Sequence, residues 1–333
     1  MPAKPKIALI GYFAADIVAE ISKRVPPGFD FEAVKNESKE ELLRVIKDAD
    51  YFIGFGEWKI DAAVIATAPK LKFIQKWGIG VDKYDQGALR EAGIPLAITA
   101  GVNSVAVAEH ALALMLAACR RIALLDRTTR AGKFLKTELR MSSFELCQKT
   151  IGIIGLGNIG KRVAKRVLAF EPKEVLYHDI ARQEETEREL GVRPVARDEL
   201  LQSADIITLH VPLDASTRNM IGAREFGLMK KTALIVNTCR GGVVNESALF
   251  EALRDQRILG AGIDVFEKEP TIADNPLFTL ENIVVTPHAA GATYENVCNV
   301  AQHCFDNIVL FNAGKPLPPA DIIIPPRGAT DSR

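Results

Sequence analysis

At 333 residues the chain exceeds the size at which one hydrophobic core keeps growing, so two compact units are expected. The charges balance, with 42 lysines and arginines against 42 aspartates and glutamates, and the sequence has no basic block. This balance argues against nucleic acid or an anionic membrane as a partner. The five cysteines are odd in number and lack metal-binding spacing, so they predict free thiols in a reducing, cytoplasmic setting.

The first hundred residues alternate short β-rich apolar runs with amphipathic helical patterns. The runs are residues 7–10, 51–54, 71–74 and 95–99. This alternation is typical of βαβ units and a parallel sheet. The first run ends at Gly11 and is too short for a secretion signal or a membrane span.

A second series of apolar runs follows, at residues 150–154, 174–179, 206–210, 233–237, 260–264 and 282–286. Six strands in series make a full dinucleotide-binding sheet. Between the two series, from residue 103 to about 130, apolar side chains cover every side of a long helical pattern. A helix that is apolar all round has to be covered, so we expect an interdomain helix that also packs on a second subunit. The alternative is a buried core helix.

The motif Gly155-Leu-Gly157-Asn-Ile-Gly160 follows a predicted strand and opens a predicted helix. In that context the glycines allow a tight turn, a close approach to a pyrophosphate and helix-on-strand packing. Asp179 ends the next strand, where an acid hydrogen-bonds the adenosine ribose and repels a 2′-phosphate, so the sequence predicts NAD rather than NADP. Arg182, three residues on, is expected to offset part of that repulsion.

Three later positions are hard to explain by folding alone. Arg240 precedes two glycines, Glu269 precedes Pro270, and His288 follows Pro287. Each lies just past the end of a predicted parallel strand, where open α/β sheets bind ligands. An arginine offers a two-pronged donor to a carboxylate, histidine is the side chain that titrates near neutral pH, and a glutamate can orient the ring and stabilise its imidazolium form.

With these motifs in this order, the chain resembles the D-isomer specific 2-hydroxyacid dehydrogenase family over nearly its whole length. The resemblance implies an enzyme that moves a hydride between NAD(H) and a small D-2-hydroxy acid or its 2-oxo acid. It also implies that Arg240 binds the substrate carboxylate, His288 is the general acid–base and Glu269 supports His288.

Cofactor and substrate contacts complete the predicted site. The predicted cofactor contacts are Gly155, Gly157, Asn158, Ile159, Gly160, Asp179, His210, Val211, Pro212, Thr217, Thr238, Cys239, Arg240, Asp264 and His288. The predicted substrate contacts are Lys76, Gly78, Ile79, Gly80 and Arg240. In the family-like arrangement Asp264 holds the nicotinamide carboxamide, and the backbone N–H groups of residues 78–80 face the substrate carboxylate. Cys239 is expected to fill space rather than react, and His110 to be a core or interface residue.

The resemblance further implies two doubly wound parallel-sheet domains. A flavodoxin-like substrate domain would comprise residues 1–102 and 288–333, with a Rossmann NAD-binding domain, residues 103–287, inserted between its two segments. The active site would lie in the cleft between the domains, and the protein would form a homodimer. No metal is predicted.

The substrate stays open at this point. Family members that handle phosphoglycerate place an arginine in the loop where this chain has residues 54–57, which disfavours a phosphorylated substrate here, although Lys76 could still serve an anionic group. A second class of relatives acts as NAD(H)-responsive dimeric corepressors with little turnover. Activity with a panel of 2-oxo acids would distinguish these alternatives.

Overall fold

The computed structural model describes residues 4–56 and 58–327. The chain divides into two compact units, Met1–Asn103 with Thr293–Arg333 and Ser104–Ala292. The sequence placed the two boundaries after residues 102 and 287. The second boundary lies later because the backbone and carboxylate of Asp264 hydrogen-bond to residues 286–290, which keeps His288 with the second unit. Glu57, part of the loop considered for phosphoglycerate, lies outside the described residues.

The first segment of the first unit alternates strands and helices. Its elements are β1 (Lys6–Ile10), α1 (Ala15–Ser22), β2 (Asp30–Ala33), α2 (Lys39–Ile46), β3 (Tyr51–Gly54), α3 (Ala62–Ala66), β4 (Phe73–Lys76), α4 (Gln86–Ala92) and β5 (Leu96–Ala97). Helix α2 shows why the alternation arises: the Ser38 side chain caps its first turn, and Leu42, Val45 and Ile46 form its buried face.

The second unit, residues 104–292, is described throughout. Its helices and strands are α5 (Ser104–Cys119), α6 (Ile122–Arg130), β6 (Thr150–Ile154), α7 (Asn158–Val167), β7 (Glu174–His178), α8 (Glu184–Leu190), β8 (Arg193–Pro194), α9 (Arg197–Ser203), β9 (Ile206–Leu209), α10 (Ala223–Leu228), β10 (Leu234–Asn237), α11 (Glu246–Arg254), β11 (Gly260–Ile263) and β12 (Ile283–Val285). These seven strands are parallel, in the order β12-β11-β10-β9-β6-β7-β8. This is the Rossmann order, with one strand added beyond β11.

The chain then returns to the first unit with α12 (Tyr294–Asn312) and β13 (Ile322–Ile324). Among the described residues the first sheet has the order β13-β5-β4-β3-β1-β2. Strands β1 to β5 are parallel in the flavodoxin-like order 2-1-3-4-5, and β13 adds an antiparallel edge. The predicted fold class is therefore confirmed.

The long apolar helix predicted between the two series is two helices. Helix α5 ends at Cys119, whose carbonyl accepts a hydrogen bond from Phe144, and the chain turns at Arg121 with φ of +56° before α6 begins. Helix α5 packs on α7 and on β10 and β11. A Cβ on Gly262 of β11 would lie 2.9 Å from the Cβ of Leu114, so one face of α5 packs closely within this unit, whereas Val105 is 41% exposed.

None of the helices within residues 4–56 and 58–327 is long and apolar enough to cross a membrane.

Candidate active site

The predicted site residues of the second unit follow the carboxyl ends of its parallel strands. Gly155 follows β6, Asp179 follows β7, His210 follows β9, Thr238 to Arg240 follow β10, Asp264 follows β11 and His288 lies three residues after β12. Because the carboxyl ends of parallel strands meet at one edge of a sheet, the topology gathers these residues along that edge.

The glycine loop has the shape that a pyrophosphate needs. Gly155 has a φ of +93°, and a Cβ there would clash with the carbonyl of His210. A Cβ on Gly160 would clash with the carbonyl of Gly155, whereas one on Gly157 would meet no described atom within 4 Å. The open space at Gly157 lies at the amino end of α7, which starts with Asn158. Free backbone N–H groups at a helix start favour an anion there.

The carboxylate of Asp179 accepts two hydrogen bonds from backbone N–H groups. Its Oδ2 accepts a hydrogen bond of 2.6 Å from the N–H of Leu156, and its Oδ1 accepts one of 3.3 Å from the N–H of Ala181. Since a carboxylate oxygen accepts about two hydrogen bonds, each oxygen retains one acceptor position. The first contact also ties Asp179 to the glycine loop.

Arg182 forms an ion pair with Glu187 rather than standing free beside Asp179. Its Nε and Nη2 donate to Oε1 and Oε2 of Glu187 at 3.0 and 2.9 Å. The expectation that Arg182 can offset part of the repulsion between Asp179 and a 2′-phosphate stays a prediction, which the ion pair with Glu187 makes less favourable.

Buried polar atoms point to a ligand beside the glycine loop. Nδ1 of His210 and Oγ1 of Thr238 are buried and have no hydrogen-bond partner within the described residues. Nε2 of His210 pairs with Oγ1 of Thr208 at 2.9 Å, and burial lowers the pKa of His210 to about 3, so the ring is neutral. Buried polar groups normally have partners. The two orphaned atoms therefore fit a polar ligand such as a dinucleotide.

The hydroxyl of Thr217 holds the backbone of the loop that follows His210. Its hydroxyl donates to the carbonyl of Pro212 at 2.6 Å and accepts from the N–H of Asp214 at 2.9 Å. These bonds close the turn that follows Val211. The structure thus gives Thr217 a positioning role for the predicted cofactor contacts Val211 and Pro212.

His288 and Glu269 form a close pair. Nδ1 of His288 lies 2.6 Å from Oε2 of Glu269, and Oε1 of Glu269 accepts from the N–H of Phe266 at 2.9 Å. Burial raises the pKa of Glu269, but the hydrogen bonds from His288 and Phe266 and the charges of His288 and Arg240 outweigh it, so the pKa is lowered. An ionised Glu269 requires hydrogen on Nδ1, which leaves Nε2 for proton transfer. The His288 side chain is 46% exposed and is accessible to a ligand.

Asp264 holds the loop that carries His288. Its carbonyl accepts from the N–H of His288 at 2.7 Å. Its fully buried carboxylate accepts from the N–H groups of Ala289 and Ala290 and from the hydroxyl of Thr286, at 2.8, 2.9 and 2.6 Å. These bonds keep His288 at a φ of +53°, a conformation that costs about 1 kcal/mol or more. Asp264 therefore positions His288, a role that the sequence did not reveal; its contact with nicotinamide stays a prediction.

His110 joins the same network. Its Nε2 lies 2.9 Å from Oγ1 of Thr286 and 3.5 Å from Oδ1 of Asp264. Because the hydroxyl hydrogen of Thr286 points to Asp264, Nε2 of His110 donates to the hydroxyl oxygen. The sequence offered no signal for this contact, since His110 stands alone on an apolar helix.

The Arg240 loop is built on Asn237, at the end of β10. The Asn237 side chain donates to the carbonyl of Arg240 at 2.9 Å and accepts from the N–H and the thiol of Cys239, both at 3.0 Å. Burial raises the pKa of Cys239 to about 11, so the thiol stays protonated and unreactive. A Cβ on Gly241 would overlap the backbone of Phe266. Glycine therefore lets the Arg240 loop pack against the loop that carries Glu269.

The predicted substrate loop lies in the first unit and follows β4. The Lys76 ammonium donates to the carbonyl of Trp77 at 2.6 Å. Gly78, at a φ of +100°, donates its N–H to the hydroxyl of Thr99 at 2.9 Å. The prediction that the N–H of Gly78 faces a carboxylate is therefore wrong, because Thr99 already accepts from it. That the backbone N–H groups of residues 79–80 face the substrate carboxylate remains a prediction.

A family model for the NAD-binding domain of D-isomer specific 2-hydroxyacid dehydrogenases matches residues 112–290. The chain belongs to this family. A glyoxylate reductase of Korarchaeum cryptofilum is 38% identical over 301 residues, which cover 89% of this chain and 90% of the relative. A D-3-phosphoglycerate dehydrogenase of Archaeoglobus fulgidus is 40% identical over 290 residues, covering 87% of this chain but 54% of the relative, so the chain spans about half of that protein.

Solved structures agree with this assignment. The NAD complex of an NAD-dependent formate dehydrogenase from Staphylococcus aureus superposes with a TM-score of 0.84 at 29% identity, covering 96% of this chain and 99% of that chain. The chain is therefore an NAD-dependent dehydrogenase of the 2-hydroxy acid class, and the predictions of family, enzyme class and cofactor are confirmed.

Proposed function

We propose that this chain interconverts a small 2-oxo acid and its D-2-hydroxy acid, with His288 as the general acid–base. The observation that carries the proposal is the 2.6 Å pair between Nδ1 of His288 and Glu269. It fixes the ring orientation and leaves Nε2 as the atom that exchanges a proton with substrate.

The proton and the hydride move together in this proposal. In reduction, the His288 imidazolium donates its Nε2 proton to the carbonyl oxygen of the 2-oxo acid as C2 receives a hydride. In oxidation, the neutral ring takes the hydroxyl proton as the hydride leaves C2. Bound NAD(H) supplies or accepts that hydride. Glu269 stabilises the imidazolium that alternates with the neutral ring.

Arg240 serves as the anchor for the substrate carboxylate. The positive charge of Arg240 interacts with the pair formed by His288 and Glu269, since it contributes to the lowered pKa of Glu269. A guanidinium can grip a carboxylate with two parallel hydrogen bonds and offset the negative charge that grows on the carbonyl oxygen. Asn237 fixes the backbone of this loop, and Nη1 of Arg240 donates to the carbonyl of Cys239 at 2.7 Å, which helps to orient the guanidinium.

Glyoxylate is the substrate that we place first. The glyoxylate reductase of Korarchaeum cryptofilum aligns over nearly its whole length with this chain. A second candidate, D-3-phosphoglycerate, is favoured by the 40% identity to the Archaeoglobus fulgidus enzyme. A phosphate needs cationic partners, and residues 54–57 lack the arginine that phosphoglycerate-handling members of the family place in this loop, which makes the smaller substrate the better proposal.

The test is oxidation of NADH by the purified chain with glyoxylate, pyruvate and 3-phosphohydroxypyruvate. We expect the highest kcat/KM with glyoxylate, and D-lactate rather than L-lactate from pyruvate. A preference for the phosphorylated acid would favour the second candidate. Tight NADH binding without turnover of any 2-oxo acid would contradict the proposal and favour a corepressor-like binding protein.

We also propose a homodimer. The stretch after α5 exposes large apolar side chains, with Ile122 at 52%, Phe134 at 78% and Met141 at 92%. Large exposed apolar side chains are candidates for interface contacts, and a second copy of this chain is the partner that we infer. Light scattering should give twice the mass of the chain, and Phe134→Ser should shift it toward the monomer while Ile272→Ser does not. A monomeric wild type would contradict this.

The cytoplasm is the proposed location, because the five cysteines are free and unpaired thiols persist in reducing compartments. Cell fractionation tests it, and recovery of the protein in an oxidising compartment would contradict it.

A further inference from the structure

A network beyond the adenosine ribose site holds Arg182. The guanidinium binds both carboxylate oxygens of Glu187, as described above, and the hydroxyl of Tyr177 donates to Oε1 of Glu187 at 2.5 Å. The same hydroxyl accepts from the N–H of Gln183 at 2.9 Å. Tyr177 is 1% exposed, so its position is fixed by the core and it fixes Glu187 in turn.

We propose that Glu187 is a cofactor-specificity residue, which excludes NADP by holding Arg182 in an ion pair. The inference rests on the proposed role of Asp179 as the ribose ligand. Arg182 lies three residues after Asp179 in the loop that joins β7 to α8, so the proposal is that its long side chain can turn toward a group on the 2′ position. While Glu187 neutralises it, the site offers a 2′-phosphate the charge of Asp179 without a compensating cation.

The charges and the exposures of the pair support this role. The Glu187 side chain is 14% exposed and that of Arg182 is 64% exposed. Hydrogen bonds from Arg182 and then from Tyr177 lower the pKa of Glu187, so it stays ionised. If Arg182 left for a phosphate, the carboxylate of Glu187 would keep the hydrogen bond from Tyr177 but lose its counter-charge, which is unfavourable. The ion pair therefore disfavours NADP in two ways. It keeps Arg182 away from the 2′-phosphate, and it makes the release of Arg182 costly because Glu187 would lose its counter-charge.

Breaking the pair should cost the fold little. An ion pair with one exposed member contributes little to the stability of a fold. Glu187→Gln keeps an oxygen acceptor for the hydroxyl of Tyr177 while removing the charge that binds Arg182. The freed guanidinium can then meet a phosphate with charge-assisted hydrogen bonds, which are stronger than an exposed ion pair.

The test measures fragments of the cofactor on the intact protein. Calorimetry compares 5′-AMP with 2′,5′-ADP, which differ only in the 2′-phosphate. In Glu187→Gln we expect 2′,5′-ADP to bind about three- to fivefold more tightly than in wild type, with 5′-AMP changed less than about 1.5-fold. Glu185→Gln, which removes the same charge from an exposed position of α8, should leave both affinities unchanged, and circular dichroism checks that each variant is folded.

The double variant Arg182→Ala/Glu187→Gln decides the mechanism. We expect the gain for 2′,5′-ADP to disappear in it, and the ratio of NADPH to NADH efficiency to rise only in Glu187→Gln. An unchanged affinity of Glu187→Gln for 2′,5′-ADP, or a gain that persists without Arg182, would overturn the inference. If wild type binds neither fragment, the adenosine site itself is misplaced and the proposed role of Asp179 fails as well.

Discussion

Replacing Glu269 by glutamine removes more than a charge. In wild type, Oε1 accepts from the N–H of Phe266 and Oε2 accepts from Nδ1 of His288. A glutamine has one acceptor oxygen and one donor NH₂ group, so it can serve only one of the two. If the oxygen stays with Phe266, the NH₂ group faces Nδ1 and favours the ring tautomer with hydrogen on Nε2. That tautomer cannot accept a proton from the substrate hydroxyl.

The magnitude follows from the bond that is lost. A hydrogen bond to a charged group contributes about 1.5–3 kcal/mol. If the whole of that contribution is lost in the transition state, kcat/KM falls about 10- to 150-fold. The imidazolium also loses its counter-charge, so it gives up its proton more readily. The decline of reductive kcat/KM with rising pH should therefore begin at lower pH in Glu269→Gln.

The assay is the pH profile of kcat/KM with NADH and one good 2-oxo acid. Glu267→Gln, two residues away in the same loop, is the matched control, because Glu267 accepts from the N–H of Glu246 instead. Its profile should coincide with that of wild type. A Glu269→Gln profile that also coincides with wild type, or a loss below threefold, would remove Glu269 from the mechanism.

Three further variants test the rest of the site. Arg240→Lys should lower kcat/KM for 2-oxo acids at least about tenfold despite the retained charge, since an ammonium cannot grip a carboxylate with two prongs; a loss under threefold in steady-state kinetics would argue against the anchor. Gly241→Ala should lower the free energy of unfolding in urea by about 1–3 kcal/mol, because its Cβ overlaps the backbone of Phe266. The control Gly242→Ala, whose Cβ would lie 3.4 Å from Leu213, should lower it by less than about 1 kcal/mol. Equal losses would contradict the packing argument. Thr286→Val should lower kcat more than it weakens NADH binding, because valine cannot donate to the carboxylate of Asp264. Thr286→Ser, which keeps the hydroxyl, should retain the wild-type kcat. A serine variant with the low kcat of the valine variant would show that the hydroxyl does not matter.

The strands that could be predicted from sequence are the buried ones. Continuous apolar runs such as β3 and β6 stand out because every position is buried. Strand β2 has no fully buried residue, β8 has two residues and includes a proline, and β13 pairs only after the chain returns to the first unit. Such edge strands are defined by their neighbours rather than by their own pattern.

The candidate site divides in a similar way. Arg240, Glu269 and His288 could be proposed because each lies in a segment that follows a strand and stands beside glycine or proline. The hydrogen bonds that position them could not, since Asp264, Thr286 and His110 meet only after three separate elements have packed. The same holds for Arg182, whose partner Glu187 lies on the following helix.

The most direct test of the proposed mechanism compares His288→Asn with wild type in two measurements. One is kcat/KM for reduction of the best 2-oxo acid, and the other is the Kd for NADH by fluorescence titration. Because the proposed role of Nε2 is to move the proton, and the other predicted cofactor contacts remain in the variant, we expect kcat/KM to fall by about 100-fold or more while the Kd changes less than about threefold. Retained turnover, or a loss of NADH affinity that matches the loss of activity, would contradict His288 as the general acid–base.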